Sequence, residues 1–142
     1  MSFDIPILFI VFNRVDKTKK VFDIIKFIKP KRLFISADGP RDNKTERKNC
    51  EDVRKVFDDI PFNCELKKNF NEKNLGLKKN IKESIDWFFS NVDKGIILED
   101  DCLPSETFFQ FCKELLNKYE DNKKIMHING TNLGLNYQNF FD

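Results

Sequence analysis

Apolar and polar positions along the chain follow two alternating rhythms. Ile5–Asn13 (I-P-I-L-F-I-V-F-N) is almost unbroken apolar sequence, as expected of a strand covered on both faces. Val21, Ile24, Ile25 and Ile28 then recur at helical spacing, with Asp16 placed to cap the helix and Pro30 to end it. Arg32–Asp38 (R-L-F-I-S-A-D) is a second apolar strand, closed by the turn residues Gly39-Pro40. Thr45 is placed to cap a helix that carries Val53, Val56, Phe57 and Ile60. Cys64–Phe70 alternates like a half-exposed strand.

The same rhythm continues after the turn Asn74-Leu75-Gly76. Leu77, Ile81, Ile85, Phe88 and Val92 mark one face of a long helix, and Gly95-Ile96-Ile97-Leu98 a short buried strand. Ser105 is placed to cap another helix, with Phe108, Phe111, Cys112, Leu115 and Tyr119 turned inward. Lys124–Asn129 (K-I-M-H-I-N) reads as a last strand. Strands alternating with helices predict an α/β fold, a mostly parallel, doubly wound (Rossmann-like) sheet with helices on both faces. In such sheets ligands bind beyond the carboxyl ends of the strands.

Composition narrows the classes. The 142 residues suit one domain, and +2 at neutral pH gives no global drive toward nucleic acid or an anionic membrane. The chain has no apolar stretch near the ~18 residues a membrane span needs and no basic, apolar leader, so a cytoplasmic protein is expected. Cys50, Cys64, Cys102 and Cys112 form no C-x-x-C pair and are expected to be free and mostly buried, with a Cys50–Cys64 bridge weakly supported. Sixteen Phe residues demand a thick aromatic core or an exposed aromatic face. The small net charge also hides a division. Residues 14–32 hold eight basic and two acidic side chains, and residues 93–121 hold three basic and eight acidic.

Four strand ends carry the candidate chemistry. Asn13-Arg14 follows the first strand, Asp38-Gly39-Pro40-Arg41 the second, Asn74-x-Gly76 with Lys78 and Lys79 the third, and Glu99-Asp100-Asp101 the fourth. Three consecutive carboxylates after a buried strand raise one another's pKa, a cost that a divalent cation such as Mg²⁺ or Mn²⁺ relieves. The bland alternative is a solvated acidic loop. Gly76 opening a helix with two lysines is similar to an anion cradle, or to an ordinary tight turn. Asp38 is placed to accept from a base imide and Arg14 to stack on a base or meet phosphate, or either is a cap or rim charge. Neither G-x-G-x-x-G nor a P-loop is present, no Ser/His/Asp set stands out, and His127 reads as a core histidine in an apolar strand.

V-F-N-R at 11–14, S-A-D-G-P-R at 36–41, K-N-L-G-L-K-K at 73–79, I-D-W-F-F at 85–89 and G-I-I-L-E-D-D-C-L-P-S at 95–105 together resemble the GT-A class of nucleotide-sugar glycosyltransferases. The closest likeness is to bacterial sugar transferases related to the enzymes that add N-acetylglucosamine to mannose on N-glycans. It covers residues from about 5 to 130. The resemblance implies a GT-A type nucleotide-diphospho-sugar transferase fold, truncated, over 1–130. It makes 131–142 an irregular segment that leads into a missing acceptor half. Asp101 would bind Mn²⁺ or Mg²⁺ between the donor phosphates, and Glu99 and Asp100 would face sugar and ribose hydroxyls. Asp38 would pair with uracil, Asn13 and Arg14 would lie along the nucleotide, and Gly76 and Lys79 would approach the diphosphate. The donor would be a UDP-sugar or another NDP-sugar, and the acceptor a glycan or glycolipid. Glu106, Glu114, Glu120 and Asp121 mostly sit on a predicted helix, so no catalytic base stands out. The alternative is a non-catalytic nucleotide-sugar-binding or interaction module without acceptor site or base. Nucleotidyl transfer to a sugar phosphate would want a Gly-rich loop after the first strand, which is absent.

Overall fold

The structure, a computed structural model, describes residues 3–131. Four strands alternate with four helices: β1 (Ile7–Val11), α1 (Val15–Ile28), β2 (Arg32–Ala37), α2 (Lys44–Lys55), β3 (Glu65–Phe70), α3 (Leu77–Phe89), β4 (Ile96–Glu99) and α4 (Glu106–Lys118). The strands form one all-parallel sheet in the order β3-β2-β1-β4. This is an α/β architecture of the Rossmann-like kind. No helix among the described residues is long and apolar enough to cross a membrane.

The order explains which face each helix covers. Right-handed crossovers step the chain from β1 to β2 to β3, leaving α1 and α2 on one face. Reaching the free side of β1 from β3 reverses direction, so α3 crosses the opposite face. Side chains sort by strand alternation to match. Ile7, Phe9, Leu33, Ile35, Ile96 and Leu98 pack with α1, α2 and α4, while Leu8, Ile10 and Phe34 pack with Phe88 and Val92. The aromatic surplus is largely spent here. Phe57 stands edge-on to Phe9 (5.9 Å) and Phe22 (5.1 Å) on one face, and Phe34 edge-on to Phe88 (5.0 Å) and Trp87 (5.4 Å) on the other.

Several expectations need correction. Asp16 lies inside α1, whose N-cap is Arg14 without a side-chain cap, and the helix ends on Lys29 in the left-handed region (φ 53°) just before Pro30. α2 is capped by Asn43, two residues before Thr45, because the Asn43 side chain accepts from the Glu46 N–H. It stops at Lys55, and Phe57 is buried from the turn that follows. On α4 the inward residues are Phe109 and Cys112, while Phe111 is turned to solvent. β4 is an edge strand whose Ile97 is 37 % exposed, so it is not buried on both sides. Lys124–Asn129 forms no strand, and His127 is exposed. All four cysteines are free, Cys50 and Cys112 buried and Cys102 exposed. Segment 132–142, including Phe140 and Phe141, lies outside the described residues.

Candidate functional site

A concavity of about 250 Å³ opens at the carboxyl ends of the central strands. Its lining includes Phe12 and Arg14 after β1, Asp38 and Arg41 after β2, Asn74, Gly76 and Asn80 at the start of α3, and Glu99 and Asp100 from the end of β4. The strand order reverses at β1, which has β2 on one side and β4 on the other. A crevice at such a reversal is where open α/β sheets bind ligands.

Asp38 knits two loops together. Its Oδ1 accepts from the Gly39 N–H (2.8 Å) and the Leu75 N–H (2.9 Å), and its Oδ2 accepts from Asn74 Nδ2 (3.0 Å). It is only 4 % exposed, so these bonds stand in for lost hydration. The loops approach so closely that a Cβ at residue 39 would lie 2.4 Å from the Lys73 carbonyl carbon, which reserves the position for glycine. Arg54 of α2 seals the back. It donates to the Asn71 carbonyl (2.5 Å) and the Asp38 carbonyl (3.3 Å), with its guanidinium over the Phe70 ring.

Gly76 opens α3 in the left-handed region (φ 78°), where side-chain-bearing residues are strained. The helix has no side-chain cap and no acidic residue in its first turn. Its start, Gly76 and Leu77, lines the concavity, and the first N–H groups of the helix have no side-chain cap. Beneath them a buried polar ladder fixes the helix to the sheet. Ser36 Oγ meets Ser84 Oγ (2.6 Å), Ser84 Oγ donates to the Asn80 carbonyl (2.6 Å), and Asn71 Nδ2 donates to Asn80 Oδ1 (3.1 Å).

The acidic turn divides by residue. Glu99 is exposed at the end of β4 and Asp101 is exposed beyond it, but Asp100 points inward and is 3 % exposed. The Arg14 guanidinium contacts both Asp100 and Asp101, the latter at 3.3 Å. Burial holds Asp100 above the usual carboxylate range against the pull of Arg14 and a weaker pull from the Phe12 amide. Partial burial opposes the charged form of Arg14, yet Asp100 and Asp101 outweigh it and raise its pKa. Asp100 Oδ2 is buried with no hydrogen-bond partner.

Three predicted residues do not line the concavity, among them Asp101, which instead meets the Arg14 guanidinium. Asn13 Nδ2 donates to Glu46 Oε1 (2.9 Å), so it braces the rim. Lys79 lies 3.7 Å from Glu83 along the exposed side of α3 and does not line the concavity. The spacing that singled out the lysine ignored which side of the helix it falls on. Glu46 is the residue that sequence reasoning missed. It accepts from the Arg41 N–H (2.8 Å), Arg41 Nε (2.9 Å) and Asn13, and the Arg41 guanidinium is the main reason its pKa drops to about 2. The spacing Asn43-x-x-Glu46 carried the signal, since a cap is often followed by an acid three residues on.

Hard carboxylate oxygens suit Mg²⁺ or Mn²⁺. Among the described residues no three metal-ligating side chains converge, and the Arg14 guanidinium contacts both Asp100 and Asp101. The orphaned Asp100 Oδ2 and the exposed Asp101 fit a cation chemically, provided that the guanidinium moves. Comparison with known protein families and with curated proteins finds no match to this chain.

Proposed function

We propose that the chain is the donor-binding part of a metal-dependent glycosyltransferase of the GT-A kind, which binds a UDP-sugar or another NDP-sugar. The single observation behind this reading is the convergence, in one crevice at the sheet's reversal point, of an uncapped helix N-terminus, Asp38, Arg14 and the acidic turn. A helix N-terminus and a guanidinium suit a diphosphate. Asp38 Oδ2, with one donor, retains acceptor capacity for a base imide. Asp101 and Asp100 would hold the divalent ion, which supplies charge neutralisation to a departing diphosphate. Glu99, exposed at the end of β4 and in the lining of the concavity, would face sugar or ribose hydroxyls, and fixing those hydroxyls would orient the anomeric carbon. The acceptor would be a glycan or glycolipid hydroxyl.

Size favours keeping a second reading. The concavity falls short of the roughly 300–1,000 Å³ usual for sites that enclose a small ligand, at about 250 Å³. It houses part of a nucleotide-sugar and leaves the remainder over the open acidic turn. A non-catalytic module that binds the nucleotide alone fits that volume.

Calorimetry with UDP, with and without Mn²⁺, tests the reading. Metal-dependent binding that Asp101→Ala abolishes is the expected result. Equal binding with and without metal, untouched by Asp101→Ala, would refute the metal site. Hydrolysis of a UDP-sugar by this chain would favour the enzyme over the module.

A further inference from the structure

The acidic turn already has a cation. Arg14 contributes a full positive charge to Asp100 and Asp101 at once, and it does so from an awkward position. As the N-cap of α1 it stands where the helix dipole disfavours positive charge, and its side chain caps nothing. Its partner Asp100 is anchored, buried, and left with one oxygen unpartnered. The arginine itself is 43 % exposed along its side chain, so a solute in the concavity can reach it. A purely architectural ion pair would fill both carboxylate oxygens, since an orphaned buried oxygen is costly. Here one buried oxygen is left without a partner beside a part-exposed counter-ion, and both residues line the concavity.

We propose that Arg14 is a resident counter-ion that competes with divalent metal for Asp100 and Asp101, and that it yields only when an incoming diphosphate offers its guanidinium a new partner. This inference rests on the metal-assisted diphosphate reading and gives that site a rule of occupancy. Metal alone meets an arginine already in place. Metal with a diphosphate finds the arginine drawn toward the phosphates and both carboxylates released. The geometry suits the exchange, because the uncapped start of α3 faces the same concavity as Arg14. Guanidinium pairs with phosphate and with carboxylate through the same forked N–H groups. The arginine therefore changes partner without losing hydrogen bonds.

The test measures protein-bound Mn²⁺ by equilibrium dialysis, with a protein-free control in each arm to subtract the Mn²⁺ that pyrophosphate or UDP chelates by itself, and no catalysis is involved. Three arms are run: Mn²⁺ alone, Mn²⁺ with inorganic pyrophosphate, and Mn²⁺ with UDP. Proteins are the wild type, Arg14→Met and Arg14→Lys, each checked for folding by circular dichroism. For the wild type, pyrophosphate should tighten Mn²⁺ binding strongly. Arg14→Met should bind Mn²⁺ alone about tenfold or more tightly than wild type, the scale of one close opposite charge, and should gain less from pyrophosphate. Arg14→Lys keeps the charge and should fall between them, which separates competition from a folding defect. Unchanged or weaker binding of Mn²⁺ alone by Arg14→Met overturns the proposal, and so does the absence of Mn²⁺ binding in every arm. The nucleotide reading fails separately. If pyrophosphate works and UDP adds nothing beyond it, the counter-ion stands and the nucleotide does not. If UDP binds tightly while Arg14→Met leaves Mn²⁺ affinity unchanged, the nucleotide stands and the counter-ion does not.

Discussion

Two carboxylates on the same rim respond to pH in opposite directions because their surroundings differ. Glu46 is surrounded by donors and its pKa falls from 4.5 to about 2, chiefly through Arg41. A depressed carboxylate adds stability above its unfolded pKa and loses it as pH falls through the folded value. The contribution of Glu46 is therefore complete above about pH 4.5 and gone near pH 2. Asp100 is displaced upward by burial, so its contribution is present below the unfolded value and lost as pH rises through the folded one. Glu46→Gln isolates the first effect. The variant should unfold at lower temperature than wild type near neutral pH, and the gap should close as acid approaches the folded pKa. Thermal melts at several pH values check this, and a gap independent of pH would show that the carboxylate charge is not what matters. Gly39→Ala belongs to the same scale. Its methyl group would press on the Lys73 backbone, so the two loops must part at a cost of roughly 1–3 kcal/mol. Loss of UDP binding should accompany that cost, because Asp38 bridges the same two loops.

At the scale of elements, Phe57 shows how a residue outside any helix or strand holds several together. It is fully buried and meets rings from β1 and α1. Phe57→Ala should cost roughly 3–5 kcal/mol in urea unfolding, more than truncating any exposed Phe such as Phe27. The strands were readable in advance because a parallel strand covered on both faces writes a continuous apolar run. β1 and β2 show this plainly, with nearly every residue buried. Lys124–Asn129, with only Ile125, Met126 and Ile128 apolar, forms no strand, since a strand depends on a neighbour's edge as well as on its own residues. The inward face of helix α4 was only partly legible. Phe108, Phe109 and Phe111 allow two apolar faces at helical spacing, and in the fold Phe109 is buried, Phe108 packs partly against the core and Phe111 is exposed. Of the site, the strand ends were legible and their partners were not. The Arg14–Asp100 and Arg41–Glu46 pairs are properties of folded geometry that no local spacing encodes.

At the scale of the whole molecule, the unequal helix cover leaves one side open among the described residues. An open groove of about 850 Å³ runs beside β4, walled by Phe89 of α3 and Phe108 of α4, with Ile97 and Leu103 in its lining. Exposed apolar surface of that extent should take up an apolar fluorescent dye in the native state. Ile97→Lys should cut the dye signal while moving the unfolding midpoint little, because surface changes usually stay within about 0.5 kcal/mol. A dye signal unaffected by that change would place the apolar surface elsewhere.

The path of α3 across the sheet also sets an order in time. Arg14 and Asp100 stand 86 residues apart in sequence, and the strand that delivers Asp100 pairs with β1 across a longer loop than those joining β1 to β2 or β2 to β3. Contacts that close long loops are slow to form, so the crevice is expected to be the last part of the sheet to assemble and the first to come apart. Amide exchange should accordingly find β4 opening at lower free energy than β1 and β2. A ligand that spans Arg14 and the acidic turn would act as a clasp on that final strand, so that occupancy of the crevice and completion of the sheet become a single event.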